Sequence, residues 1–200
     1  MSYVDPYASS ACEMVSEMLQ YIDEGVKLKS IEADALYSGI IIDTDSFNSK
    51  SGPRTFEAAA FLRRNGADVT RVRKMLRNDM AEYKAIAQAV SLAEIYRDSY
   101  AITIFDGRGL KSPTIGGAQT SNDLLNIVGI RASFVVTAYN DQVYISARSI
   151  DEVNVQLVME KLGGGGHMSI AGAQLKDCTA DQAVQTIKNT LDNMIMEGEI

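Results

Sequence analysis

The sequence predicts an α/β protein in which a helix-rich first part runs through a helical connector into a complete α/β module with a mixed sheet. Apolar residues recur at spacings of three and four up to residue 97, and β-rich runs first appear after residue 98. From about residue 99 the order is strand, helix, strand, strand, helix, strand, helix, enough for a sheet with helical cover. Residues 1–64, 65–97 and 98–200 are the expected segments.

Ala11, Met14, Val15, Met18, Leu19 and Ile22 form one apolar stripe of a helix over 11–24, with Ser9 or Ser10 as cap and Gly25 past its end. A second segment follows Ser30 through Ala35, Leu36 and Gly39. There Ile40-Ile41-Ile42 fits a helix or a short buried strand equally well. Residues 44–54 read as a loop, and Phe56 to Arg64 as a helix stopped at Asn65-Gly66. Asp68 caps a short helix from Val69 to Arg77. Asp79 and Glu82 have capping-box spacing and open a longer helix to about Arg97.

Tyr100 to Phe105 is a strand, broken by Asp106-Gly107-Arg108-Gly109. Residues 117–128 read as a helix with Leu124, Leu125 and Val128 on one face. Ser133 to Tyr139 and Val143 to Arg148 are strands joined by Asn140-Asp141, a tight turn with Asp where Gly is preferred. Val153 to Leu162 is helical and ends in four glycines. Ala171 to Leu175 reads as an edge strand, and Thr179 caps a last helix through Met196.

The composition narrows the chemistry. Nineteen Lys and Arg against 26 Asp and Glu leave a net charge of -7 over 200 residues, so no general attraction to nucleic acid or anionic membrane exists. A phosphate ligand then needs a local site. No apolar run reaches the roughly 18–20 residues that span a bilayer, and the start lacks a signal peptide's basic and apolar regions. The two cysteines, Cys12 and Cys178, lie far apart and read as reduced thiols of an intracellular chain. One histidine, His167, excludes His-rich zinc sites, and no G-x-S-x-G supports a Ser-His-Asp triad.

Gly163-Gly164-Gly165-Gly166-His167 is the strongest chemical feature. Four glycines after a helix make a loop whose amides approach a ligand closely, as in phosphate nests, and His167 adds a donor that stacks on a base. A flexible helix end is the plain alternative. Ser146 and Arg148 alternate on a strand and share a face, where an arginine clamps a phosphate or merely faces water. Ser121-Asn122-Asp123 has a plain capping explanation. Asp43-Thr44-Asp45 offers carboxylates for manganese or magnesium but reads more simply as a helix-terminal turn. Arg63, Arg64, Arg71, Arg73, Lys74 and Arg77 read as a solvated face, with an approach surface for anionic ligands as the alternative.

Gly39-Ile40-Ile41-Ile42-Asp43-Thr44 resembles the fourth motif of the DHH phosphoesterases, and Tyr3 to Ser10 resembles the segment after their Asp-His-His triplet. Gly163 to His167, continuing into Ala171-Gly172-Ala173, resembles the signature of the DHH-associated domain. With Arg54-Thr55-Phe56 and Ser146-Ala147-Arg148, the similarity is greatest to the membrane-anchored cyclic-di-AMP phosphodiesterases and covers essentially the whole chain. The resemblance implies a two-manganese phosphodiesterase that linearises cyclic di-AMP to 5′-pApA, its associated domain closing over the cleft.

Carried over by position, Asp43 is the metal-ligand aspartate. Gly164, Gly165, Gly166 and His167 are the substrate loop, Arg148 meets a phosphate, and Ser146, Asn122 and Asp123 are further contacts. The family's first three motifs would precede Met1. The expectation is therefore a fragment: the end of a catalytic domain, a connector and a whole substrate-binding domain, inactive alone, from a membrane-anchored parent with this part cytoplasmic. The partner implied is a cyclic or short linear dinucleotide, with a homodimer possible and no duplex nucleic acid or direct membrane contact.

Rival readings are an oligoribonuclease or pAp phosphatase of the same superfamily and a non-catalytic module that binds nucleotide or dimerises through the stripes of helices 11–24 and 80–97. RNA binding, as in the related domain of alanyl-tRNA synthetases, is opposed by the acidic charge.

Overall fold

The computed structural model describes residues 3–22, 27–150 and 153–200, and the chain divides into two compact units, Met1–Arg77 and Asn78–Ile200. Gly25 lies outside the described residues. The expected connector is shared between the units: residues 69–75 pack in the first and residues 80–91 in the second.

In the first unit the described residues form four helices, α1 (Ala11–Ile22), α2 (Ser30–Asp43), α3 (Pro53–Arg64) and α4 (Val69–Met75). Ser10 Oγ accepts from the Glu13 amide at 3.0 Å and so caps α1. The isoleucines 40–42 are helical, because α2 runs unbroken to Asp43. The 44–49 turn is tied by Thr44, whose Oγ1 donates to the Ile40 carbonyl at 2.6 Å and accepts from the Phe47 amide at 3.0 Å. Phe47 thereby reaches Phe56, with which it stacks at 5.2 Å between ring centres. Pro53 starts α3 three residues earlier than the sequence predicts, since proline suits the first helical turn. Ala33, Tyr37, Ile40, Ala58, Leu62 and Val72 make the core.

The second unit contains α5 (Met80–Ser91), β1 (Glu94–Tyr96), β2 (Tyr100–Phe105), α6 (Pro113–Leu125), β3 (Ala132–Tyr139), β4 (Gln142–Ser149), α7 (Val155–Lys161), β5 (Gly165–His167), β6 (Ile170–Lys176) and α8 (Ala180–Glu197). Asp79 accepts from the Glu82 amide, as expected, but the helix ends at Ser91 and residues 94–96 form a strand instead of continuing it. The sheet order is β1-β2-β3-β4-β6-β5; only the β2–β3 pair is parallel. Asn140 and Asp141 have φ of 49° and 56°, the geometry of a type I′ turn, so Asp takes the position where Gly is preferred.

Three expectations are corrected here. Residues 171–175 lie in β6, an interior strand, because β5 pairs along its outer side. The helix read at 117–128 begins at Pro113 and ends at Leu125, which leaves Val128 fully exposed beyond it. The glycine run is partly a strand, since Gly165–His167 pairs with Ile170–Gly172.

Alternation divides the sheet into two faces. Phe134, Val136, Val143, Ile145, Ala147, Ala171 and Ala173 point to one side and pack with residues of α7 and α8. On the other side Ala101, Phe105 and Val135 pack under α5 and α6. Besides α5, α6 packs on β2, β3 and β4. Beside it lies the same face of β6 and β5.

Candidate functional site

Register places the carriers of the site on that face. Ser146 on β4 is opposite Gly172 on β6, which is opposite Gly165 on β5. Arg148, Ile170 and His167 form the next row. A side chain placed on Gly165 would meet nothing within 4 Å, so open space lies above it. Gly172 would have only the Ile145 carbonyl within that distance. The rows make a low strip with a backbone floor at Gly172 and Gly165, bordered by Arg148 and the exposed His167.

The glycines serve the backbone as much as any ligand. Gly163 and Gly164 return their amides to the carbonyls of Glu160 (3.0 Å) and Met159 (2.8 Å). A phosphate nest of free amides is thus not what these two provide. A Cβ at Gly166 would stand 2.5 Å from Ala171 Cα, and φ there is 149°. A Cβ at Gly164 would stand 2.2 Å from the Gly172 carbonyl. Both lack a Cβ because β5 and β6 approach too closely for one.

Arg148 has the environment of an anion ligand. It is half-buried; Nε donates to Asn122 Oδ1 at 3.1 Å and Nη1 to the Ala147 carbonyl at 2.9 Å. No carboxylate among the described residues pairs with it, and Nη2 is unengaged. Burial lowers the guanidinium below the ordinary arginine value, and no neighbouring anion offsets that. A half-buried cation with no counter-ion among the described residues favours an incoming phosphate, which a guanidinium holds with two parallel hydrogen bonds.

Ser121, Asn122 and Asp123 lie in the last turns of α6, not at its start, so the capping explanation is corrected. Ser121 Oγ donates to the Ser146 carbonyl at 3.0 Å, and Asn122 braces Arg148. Asp123 is exposed, and Ser146 is half-buried beside Gly172. The structure therefore gathers Arg148, Ser146, Asn122, Gly165 and His167 around one strip.

Farther along the same face stand Gln142, Tyr144 and Gln174, which the sequence reading missed. For the first two the signal was present: 142 and 144 share the parity of 146 and 148 on β4. Tyr144 is directly opposite Gln174.

The manganese expectation rests on Asp43. It ends α2, is exposed, and belongs to the first unit. Among the described residues no group of three His, Cys, Asp or Glu side chains is placed to hold a metal ion. One carboxylate does not make a manganese site, so the described residues do not fit that cofactor. Two members of the basic run have plain partners: Arg71 Nε meets Asp34 Oδ2 at 2.6 Å, and Arg63 Nη1 donates to the Ala67 carbonyl. No helix among the described residues is long and apolar enough to cross a membrane.

Comparisons with known proteins extend these findings. Residues 109–197 match the family described as "DHHA1 domain". The chain is 43% identical over 198 residues to the cyclic-di-AMP phosphodiesterase GdpP of Geobacillus thermodenitrificans, covering 98% of this chain and 30% of that protein. It is 41% identical over 191 residues to the cyclic-di-AMP phosphodiesterase PdeA of Listeria monocytogenes, covering 95% of this chain and 29% of that protein. The chain thus spans about 30% of the length of these relatives. An exopolyphosphatase-related protein from Bacteroides fragilis shares the fold with a TM-score of 0.84 at 18% identity, over 97% of this chain and 59% of its own.

Proposed function

We propose that this chain is the nucleotide-binding part of a cyclic-di-AMP phosphodiesterase of the DHH superfamily, with residues 109–197 as its DHHA1 domain. The observation that carries this reading is Arg148, a half-buried guanidinium at the rim of an open strip, without a carboxylate partner among the described residues.

In this reading a phosphate of the dinucleotide pairs with Arg148, whose free Nη2 edge faces it while Asn122 holds Nε. His167 donates to a second oxygen or stacks on a base, and it stands two strands from Arg148, roughly 10 Å at the usual strand spacing. The backbone of Gly165 and Gly172 lets the sugar lie flat against the sheet. Ser146 offers a hydroxyl beside it. The reaction of the parent protein adds one water across one phosphodiester. The P–O3′ bond breaks, and cyclic di-AMP becomes 5′-pApA with a 5′-phosphate and a 3′-hydroxyl.

Metal chemistry belongs in this proposal to the parent protein. With Asp43 as the only proposed ligand here, the 200-residue chain binds nucleotide and does not hydrolyse it. It therefore shows no manganese-dependent hydrolysis above a metal-free control.

Calorimetric titration of cyclic di-AMP into the chain tests the reading. Saturable binding is expected, and Arg148→Gln weakens it at least tenfold, the effect of losing one charge-assisted phosphate contact. Absence of binding, or equal binding by the variant, overturns the proposal. Tighter competition by short linear RNA moves the substrate from a cyclic to a linear oligonucleotide.

A further inference from the structure

The far end of the strip carries a second group of polar side chains whose valences are only half used. Tyr144 Oη donates to Gln142 Oε1 at 3.1 Å, and Gln174 Nε2 donates to the same oxygen. Gln174 Nε2 also donates a long hydrogen bond to Tyr144 Oη at 3.5 Å. One carbonyl thus takes two donors and locks the amide plane of Gln174. Gln174 Oε1 and the Gln142 amide nitrogen are left unengaged, and the Gln174 Nε2 proton held only by the long 3.5 Å bond to Tyr144 Oη is the one a stronger acceptor takes. Gln174 is exposed, and it stands on the face of β6 that carries Gly172.

From this we infer that Gln174 reads an adenine base, a role that rests on the nucleotide reading of the strip. A glutamine amide presents an acceptor beside a donor. The Hoogsteen edge of adenine presents the complement, the N6 amino donor beside the N7 acceptor, and the two form a bidentate pair. The same edge of guanine presents two acceptors, O6 and N7, and leaves Gln174 Oε1 facing an oxygen. Adenine is therefore the base this edge pairing accepts.

The spacing agrees with one ligand lying along the strip. Tyr144 and Arg148 are four residues apart on β4, and Gln174 and Ile170 are four apart on β6. At about 3.3 Å per residue the base-reading amide stands roughly 13 Å from the Arg148 row, with the glycine floor between them. A nucleotide whose base sits at Gln174 reaches Arg148 with a phosphate across that floor. Ser146 is the only side chain of β4 between the two on this face.

The test uses the 200-residue chain and two linear probes, pApA and its 7-deaza-adenine analogue, which lacks only the N7 acceptors. The chain binds pApA about tenfold tighter than the deaza analogue, and Gln174→Ala removes that difference by weakening pApA alone. A third probe, pGpG, binds more weakly than pApA, and Gln174→Ala narrows that gap. Equal affinity of the unaltered chain for pApA and the deaza analogue overturns the assignment, as does a difference that survives Gln174→Ala. Failure of every dinucleotide to bind overturns instead the reading of the strip. Binding that needs Arg148 but ignores N7 overturns only the role of Gln174.

Discussion

Both units have apolar cores, but among the described residues only the first buries carboxylates, Glu13 and Asp34. The second packs Phe134, Val136, Met159, Ile187 and Leu191 around a sheet, each at most 0% exposed. The first buries Glu13 at 1%, Ser16 at 0%, Thr44 at 0% and Thr55 at 1%, while Val15 and Ile22 on the same helix stay 42% and 69% exposed. Its α1 turns the polar side inward. Glu13 Oε2 accepts from the hydroxyls of Ser9 and Thr55 and from the Ser9 amide, so one carboxylate ties the 9–10 segment, α1 and α3 together. Apolar area stabilises both units, and in the first a saturated network around a buried carboxylate adds to it, so the two respond to different changes.

Phe134→Ala gives the largest expected effect. Its ring is fully buried against Tyr100, so its loss costs about 3–5 kcal/mol and unfolds residues 78–200 first. Urea denaturation followed by amide exchange in each unit measures it.

Glu13→Ala is the matching change in the first unit. Two hydroxyls and an amide lose their acceptor, at a cost of about 1–3 kcal/mol, and exchange quickens at Ser9 and Thr55 with the second unit unaffected. An unchanged Tm for the first unit would show that its polar interior contributes nothing.

The glycine run sharpens the contrast between packing and binding. Gly166→Ala forces a Cβ against Ala171 and strains a φ of 149°, so β5 detaches and stability falls by about 1–3 kcal/mol. Gly165→Ala meets open space and keeps stability within about 0.5 kcal/mol, but it raises a methyl from the strip floor and weakens nucleotide binding. Thermal unfolding and calorimetry on the pair separate the two roles.

The smallest effect is a pH dependence confined to the first unit. Hydrogen bonds from Arg71 and from the Asp68 amide hold the Asp34 carboxyl below its ordinary value of 3.8. A depressed acid contributes stability that is full above that value and lost as pH falls through its lower folded value. Arg71 is half exposed, which keeps the effect modest. Asp34→Asn removes the added acid sensitivity in thermal melts taken from pH 5 downward.

The second unit was legible because its code is alternation. Residues 133–139 and 143–148 place apolar side chains on one face, and Asn140-Asp141 announces the turn between them. The first unit's apolar stripe on α1 was visible too, but its inward face was not, since Glu13 and Ser16 have ordinary surface chemistry until Ser9 and Thr55 complete them. Ile40 to Ile42 carry no period that separates helix from strand; the packing of α2 on α1 and α3 decides it. At the site, Arg148, Ser146 and the glycines were legible from type and parity. The brace from Asn122 was not, for it depends on α6 beginning at Pro113 and bringing its last turn over β4. Gln174 stayed hidden because the pairing of β6 with β4 is long-range.

The most direct test of the nucleotide strip is a map of backbone amide shifts as 5′-pApA is titrated into the chain. The account expects saturable shifts at Gly165, His167, Gly172, Gln174 and Arg148, with residues 3–77 and the opposite sheet face at Val143 and Ala171 little changed. Shifts centred on the first unit, or on the α7–α8 side of the sheet, would contradict it.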